Sequence, residues 1–331
     1  MTGLVTRAWS EVWPISGQFV ISRGARTEAR VVVAEAEIDG VTGRGECTPY
    51  PRYGETIEGT LSAIEALDGR LYGPPKVARA RLASILPPSA ARNAVDCAIW
   101  DLEARLSGQP VHILAGLPAP RPVLTCYTLS LGTPEAMADA ARRHADKPLL
   151  KLKLGGAGDA ERMRAVREAR PDARLVADAN EAWQAADLEP LLAAAADAGL
   201  ELIEQPLPQG ADDALARIKR IVPVCADESA HTTDSLDALR GRYDAVNIKL
   251  DKTGGLTEAI RMHAEAHRLG FRIMVGCMLA TSLSMAPAAL IATEGDFADI
   301  DGPLLLARDR APGISYANGQ ASLPATGLWG S

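Results

Sequence analysis

The chain has 331 residues, 35 Lys and Arg against 42 Asp and Glu, a net charge of −7, 47% hydrophobic residues and 4% aromatic ones. That length suits about two domains around a large core, and the mild acidity and scarce rings argue against nucleic acid, which calls for basic groups on phosphates and flat side chains on bases. No apolar run nears the ~20 residues of a membrane helix, and five scattered cysteines (Cys47, Cys97, Cys126, Cys225, Cys277) suit neither a disulfide framework nor a zinc–thiolate cluster, but reduced thiols in a cytoplasmic protein.

The N-terminal MTGLVTRAWSEVW lacks a basic start followed by an apolar stretch, so no signal peptide is expected. Strands are expected around Trp9 to Val20 and over 30–39, RVVVAEAEID, where β-branched residues alternate with polar ones. GVTGRGECTPYPRYGE reads as turns, and a helix follows over 55–68. A second helix is marked over 89–107: Val95, Ala98, Leu102 and Leu106 recur at three-to-four spacing, Pro87-Pro88 precede it, and Gly108 and Pro110 stop it. Strands followed by helices make residues 1–121 an α+β domain.

From residue 122 short apolar runs recur at Val123–Leu129, Leu149–Leu154, Arg174–Ala177, Leu200–Ile203, Val222–Cys225, Ala245–Ile248, Phe271–Val275 and Phe297–Ile300. Most are separated by Ala-rich helical stretches ending in glycine, such as Gly199 and Gly270. Strand alternating with helix means parallel strands, and eight such units of one hand close into an α/β barrel of the TIM type. A doubly wound open sheet is the competing architecture.

Charged residues stand where these runs stop: Lys153, Asp178, Glu204, Asp227, Lys249 and Asp299. The first five are 25, 26, 23 and 22 residues apart, one βα repeat each. In a parallel barrel such positions share one mouth, where barrel active sites are built. Asp178, Glu204 and Asp227 would repel one another there unless a cation held them, and oxygen-only ligands select Mg²⁺ or Mn²⁺. Strand-end acids also cap helices, but three at repeat spacing between two lysines are better explained by a metal. Lys151 and Lys153 face the same way on a strand, so their ammoniums crowd each other and a depressed pKa would make Lys153 a general base. Lys249 lies four repeats on, on the opposite wall. Two lysines across a metal suit removal of a proton from one face of a carbon and its return to the other.

KLKLGG, DAN, EQP, ADES and NIKLDKTGG together resemble the enolase superfamily, in its muconate-lactonizing-enzyme subgroup. The resemblance implies a modified (β/α)7β barrel over 122–306, with residues 307–331 returning to a capping domain at 1–121. RGARTEARVVV, GECTPYPRYGE, ARNAVDCAIWDLEA, GCML and FADIDGPLLL narrow it to the dipeptide epimerases, above all the L-Ala-D/L-Glu epimerases. What this implies is proton transfer at the α-carbon of the C-terminal residue of a small dipeptide from cell-wall peptide, with neither nucleic acid nor membrane as partner and association into homo-oligomers. It also implies that Asp299 and Asp301 hold the substrate ammonium and that Arg26 faces an acidic second residue. Cys277 and Met278 of GCML would contact substrate, and loops at 17–28 and 43–54 would cover the mouth. Rival readings are another dipeptide specificity, an N-acylamino-acid racemase, an o-succinylbenzoate synthase, a lactonizing enzyme, or a carboxylate-binding protein without catalysis.

Overall fold

The computed structural model describes residues 3–324 and 326–331. It opens with an antiparallel sheet, β1 (Val5–Ile21), β2 (Gly24–Ile38) and β3 (Val41–Cys47), in that order. Three helices follow: α1 (Ile57–Glu65), α2 (Pro75–Ile85) and α3 (Ala90–Ser107), then a single turn, α4 (Val111–Leu114). Their shared core runs from Val32, Ala34 and Ala36 on β2 to Ile64, Leu82, Ala98 and Leu102 on the helices. Ser89 caps α3 by accepting the Arg92 N–H, and Gly108, at φ 65°, ends it.

Two expectations change here. GVTGRGEC is not a turn but holds β3, and its glycines serve packing: a Cβ on Gly43 or Gly45 would run into the α3 backbone at Leu102 or Ala94. Helix α2 was not expected, because PPKVARARLASI has a weak apolar stripe and starts on a proline pair. Pro75 nevertheless stands in the first turn, where a missing N–H costs nothing.

The second unit is a ring of eight parallel strands: β5 (Tyr127–Leu129), β6 (Leu149–Lys153), β7 (Arg174–Asp178), β8 (Leu200–Glu204), β9 (Val224–Ala226), β10 (Ala245–Lys249), β11 (Arg272–Gly276) and β12 (Phe297–Asp299). The ring closes where the Cys126 N–H donates to Ala298 O at 2.8 Å. The open-sheet alternative is therefore excluded. Helices α5 (Pro134–Arg143), α6 (Asp159–Ala169), α7 (Leu188–Asp197), α10 (Leu256–Arg268) and α11 (Ser282–Ala292) clothe it, with single turns α8 (Leu236–Leu239), α9 (Leu250–Thr253) and α12 (Gly302–Leu305). Between β8 and β9 only a 3₁₀ turn, Asp213–Ala216, replaces a helix. The run expected as one strand at Val123–Leu129 is split: β4 (Val123–Leu124) leaves the barrel and pairs with a hairpin of β13 (Ser315–Ala317) and β14 (Gln320–Ser322).

One inward residue from each side of the ring fills its base: Cys126, Leu149, Val176, Leu202, Cys225, Ala245, Met274 and Phe297. Side chains two residues on point the same way. The position above Leu149 is therefore Lys151, above Val176 Asp178, above Leu202 Glu204, above Cys225 Asp227, above Ala245 Asn247 and above Phe297 Asp299. An apolar plug thus sets the depth of a charged layer.

The seam between the two units is polar. Arg310 joins Glu46 of β3 at 2.7 Å and Glu11 of β1 at 2.6 Å. Asp251 on α9 accepts the Thr48 N–H at 3.0 Å and the Asn93 amide at 2.9 Å. Burial pushes the Asp251 carboxyl up to about 7, against both hydrogen bonds. The folded chain therefore keeps a proton that an unfolded aspartate, with a pKa of about 3.9, has lost, so stability falls as pH rises through that window. Asp251→Asn keeps the accepting oxygen and removes the titration. Its stability relative to wild type is expected to improve by on the order of 2 kcal/mol between pH 5 and pH 8. Urea unfolding with EDTA at both pH values checks this; a difference independent of pH would contradict it.

Candidate active site

Lys153, Asp178, Glu204, Lys249 and Asp299 are each the last residue of their strand, and Asp227 directly follows β9. The ring brings all six, with Lys151, into one buried layer. Oxygens of Asp178, Glu204 and Asp227 lie within 4.8 Å of one another. Lys151 Nζ stands 2.5 Å from Glu204, 2.6 Å from Asp299 and 3.4 Å from Asp178. Lys153 Nζ is 2.6 Å from Asp178, and Lys249 Nζ is 2.6 Å from Asp227 and 3.8 Å from Glu204. Strands β7, β8 and β9 separate β6 from β10, so Lys153 and Lys249 stand on opposite walls of an eight-stranded ring.

The electrostatics show what the layer lacks within itself. Burial opposes the Asp178 charge, yet Lys153 and Lys151 outweigh it and lower its pKa to about 2. Glu204 has no such surplus: burial and the charge of Asp178 push it up to about 7. Three carboxylates cannot all ionise freely in this space without further positive charge. Glu204 Oε2 takes no aligned hydrogen bond despite the Lys151 charge 2.5 Å away, and Asp299 Oδ1 is buried without any. An oxygen-only set with an underused acceptor fits a hard divalent cation.

Burial works against the Lys151 ammonium, but Asp299, Glu204 and Asp178 surround it and hold its pKa well above the usual lysine value. The same balance, with Asp227 foremost, raises Lys249.

Above the layer is a cavity of about 430 Å³, within the range of small-molecule sites. Lys153, Asp227 and Lys249 line its floor, and Cys277 and Met278, both half-buried, line one side. Phe19, Ile21, Arg23 and Arg26 close it from the cap, as do Tyr50, Pro51, Arg52 and Tyr53. The 17–28 cover is not a free loop. It is the end of the β1–β2 hairpin, whose turn at Ser22 and Arg23 reaches the barrel. Arg23 donates to Asn180 O at 3.0 Å, to the Tyr50 hydroxyl at 2.9 Å and to Glu228 at 2.8 Å. The second cover is shorter than expected, since β3 occupies 41–47. Its Arg52 grips Glu181 with two bonds of 2.9 Å.

Arg26 differs from its neighbours. Among the described residues its guanidinium has no ion-pair or hydrogen-bond partner, and it stands 5.6 Å from the Tyr50 ring centre. Asp299 and Asp301 do not line the cavity. Asp299 is committed to Lys151, while Asp301 accepts the Thr128 N–H at 2.6 Å and is pushed to about 7 by burial and by Asp299.

Sequence reasoning missed several residues of this site. Asn180 donates to both oxygens of Asp178, at 2.9 and 3.1 Å, and Asn247 donates to Glu204 at 2.7 Å. Both sat in quoted motifs, DAN and NIK, and Asn247 is two residues before Lys249, which places it on the inward face. Glu228 and Lys252 also stood in such motifs, ADES and NIKLDKTGG, but neither lies at an inward strand position that would mark it.

Two family models cover the chain: mandelate racemase / muconate lactonizing enzyme, N-terminal domain, over 4–116, and enolase C-terminal domain-like, over 136–328. The chain is 47% identical over 319 residues to the L-Ala-D/L-Glu epimerase of Escherichia coli K12, covering 96% of this chain and 99% of that one. It is 43% identical over 300 residues to an N-acetyl-D-glutamate racemase of a Pseudoalteromonas species, covering 91% and 94%. A crystal structure of an enolase family member from Agrobacterium tumefaciens, described as homologous to dipeptide epimerases and holding sodium and L-Ala-L-Glu with an ordered loop, is 52% identical. It superposes with a TM-score of 0.94 over 99% of this chain and 100% of that one.

Proposed function

This chain belongs to the mandelate racemase / muconate lactonizing enzyme family of the enolase superfamily, and on that premise we propose that it is an isomerase that epimerises dipeptides at the α-carbon of the C-terminal residue, with L-Ala-D/L-Glu as substrate. The observation that carries the reading is the pair Lys153 and Lys249, on opposite walls above three buried carboxylates. Within this reading residues 1–121 form the cap, 122–306 the barrel and 307–331 a segment returning to the cap, and the enzyme works in the cytoplasm on cell-wall dipeptides.

Asp178, Glu204 and Asp227 are the residues that would hold Mg²⁺, Mn²⁺ being the alternative for such donors. Bound there, the cation supplies Lewis-acid stabilisation to a substrate carboxylate that gains negative charge as the neighbouring C–H bond breaks. Lys153 takes the α-proton from one face and Lys249 returns one to the other, and the reverse reaction exchanges their parts. Lys151, anchored by three carboxylates, stays charged and stabilises the developing negative charge from below. Asp299 and Asp301 receive the substrate ammonium, which requires it to reach past the present cavity lining and Asp299 to share its oxygens with Lys151. Cys277 and Met278 bound the substrate's flank, and the two covers keep water from the exchanging proton.

The acidic side chain falls to Arg26. Of the three arginines lining the cavity, Arg23 and Arg52 already hold Glu228 and Glu181, whereas Arg26 has its fork free. Arg26→Met is expected to raise KM for L-Ala-L-Glu about 10–100-fold, the worth of a charge-assisted hydrogen bond, and to change kcat less. A dipeptide with a neutral C-terminal side chain should lose little. Equal losses for both substrates would contradict the assignment.

The decisive experiment follows L-Ala-L-Glu by proton NMR in D₂O with enzyme and Mg²⁺. Loss of the Glu α-proton signal with growth of the L,D diastereomer is expected. The similarity to an N-acetyl-D-glutamate racemase supports a second reading, racemisation of N-acylated glutamate. N-acetylglutamate in the same assay decides between them, because it lacks the ammonium that Asp299 and Asp301 would hold.

A further inference from the structure

The motif NIKLDKTGG contains a second lysine, to which neither the chemistry above nor the cavity assigns a part. Lys252 is 2% exposed and does not line the cavity. Its ammonium donates to Asp227 Oδ1 at 2.5 Å, to Asp227 O at 2.6 Å and to Asn247 O at 3.0 Å. A lysine ammonium has three N–H donors, and all three are used. Lys252 therefore has no donor left for substrate.

We propose that Lys252 is a positioning residue for the cation site: it grips the main-chain and side-chain oxygens of Asp227 together, so that Asp227 presents a fixed oxygen to the metal. The inference rests on the metal reading of Asp178, Glu204 and Asp227. The grip leaves Asp227 Oδ2 as the oxygen turned toward the cavity lysine, Lys249, at 2.6 Å. The third hydrogen bond, to Asn247 O, ties the same ammonium to the strand whose Asn247 side chain holds Glu204. Two of the three acids are thereby indexed to one point.

Lys252 is itself held. It lies on α9, whose last carbonyl, Thr253 O, and that of the capping Gly254 accept from Arg92 at 2.6 and 3.0 Å. Its neighbour Asp251 is bonded to Thr48 N and Asn93 of the cap. Stability alone does not explain such a residue, since a buried ion pair gains little over apolar side chains of the same volume. Orientation of a metal ligand by its own partner does explain it.

Charge and position make opposite predictions, which allows a clean test. A fixed positive charge beside the triad repels a divalent cation, so on charge alone Lys252→Met should bind Mg²⁺ more tightly. If Lys252 positions Asp227, Lys252→Met should bind Mg²⁺ about 10–100-fold more weakly, the usual loss when a ligand's supporting partner is removed. Titration calorimetry with Mg²⁺ alone, without dipeptide, reads this directly. Lys252→Arg keeps the charge but replaces a compact three-way donor with a planar fork, and it should also bind more weakly. It serves as the readout if the methionine variant does not fold. A purely structural role would lower the Tm and the binding stoichiometry while the folded fraction kept the wild-type Kd. Wild-type or tighter affinity in either folded variant overturns the proposal. Wild-type protein that takes up no Mg²⁺ would overturn the metal reading as well, and is recognised before any variant is compared.

Discussion

Lys249→Ala is expected to lower epimerisation of L-Ala-L-Glu by about 10³-fold or more, the range over which a positioned acid–base group contributes. Lys249 ends β10 with its ammonium 2.6 Å from Asp227, and among the described residues no other lysine and no histidine on that wall lines the cavity. Lys252, the nearest substitute, has all three hydrogens engaged. The more telling result concerns exchange rather than turnover. With Lys153 intact, one of the two diastereomers should still trade its α-proton for deuterium, because only one face has lost its base. Lys153→Ala should reverse the pattern, leaving exchange in the other diastereomer alone. Proton NMR of each pure diastereomer in D₂O with each variant measures this. Exchange of both diastereomers by a single-lysine variant, or a fully active Lys249→Ala, would rule out the two-wall arrangement, whereas a carboxylate-binding protein would show no turnover in wild type and unchanged dipeptide affinity in Lys249→Ala.

The barrel and its charged mouth are legible in the sequence for one physical reason. A parallel strand buried on both faces is a short apolar run, and when an inward position at its end is ionic the break in hydropathy is sharp. Asp178, Glu204 and Lys249 stand out because Val176, Leu202 and Ala245 precede them on the same face. Apart from Asn180, which bonds Asp178 two residues away, the residues missed are those whose role depends on a partner far away in sequence. Lys252 meets Asp227 only because α9, which follows β10, lies against the end of neighbouring β9, and Glu228 meets Arg23 only because the hairpin tip crosses the mouth. Glycine misled where it has two uses: Gly43 and Gly45 read as turns but permit the close approach of α3 to β3. Helix α2 escaped because its buried face, Ala78, Arg79 and Leu82, includes an arginine, which pairs with Glu103 at 2.5 Å and lies 3.6 Å from the Trp100 ring centre.

Glu204→Gln is the other substitution expected to have a large effect, and it separates the cation from the lysines. Glu204 ends β8, between the strands of Asp178 and Asp227, and is the acid of the three that burial and a neighbouring charge most disfavour. Neutralising it removes repulsion within the layer, so the chelated variant should be no less stable than chelated wild type. Neutralising it also removes a third of the negative charge available to a divalent ion. Mg²⁺ affinity is expected to fall about 100-fold, with turnover falling about 10³-fold at a concentration that saturates wild type. Calorimetric melts give the sign of both effects at once. A ligand that binds only the folded state at about 100 times its Kd adds about 2.7 kcal/mol. Mg²⁺ should therefore raise the Tm of wild type by several degrees and leave that of Glu204→Gln almost unmoved. In wild type, EDTA should abolish activity and excess Mg²⁺ restore it, whereas the same addition should restore nothing to the variant. A variant that keeps the full Mg²⁺-induced rise in Tm would place the cation on other residues. A variant that keeps the rise but loses turnover would make Glu204 a group that acts on the substrate and not on the metal.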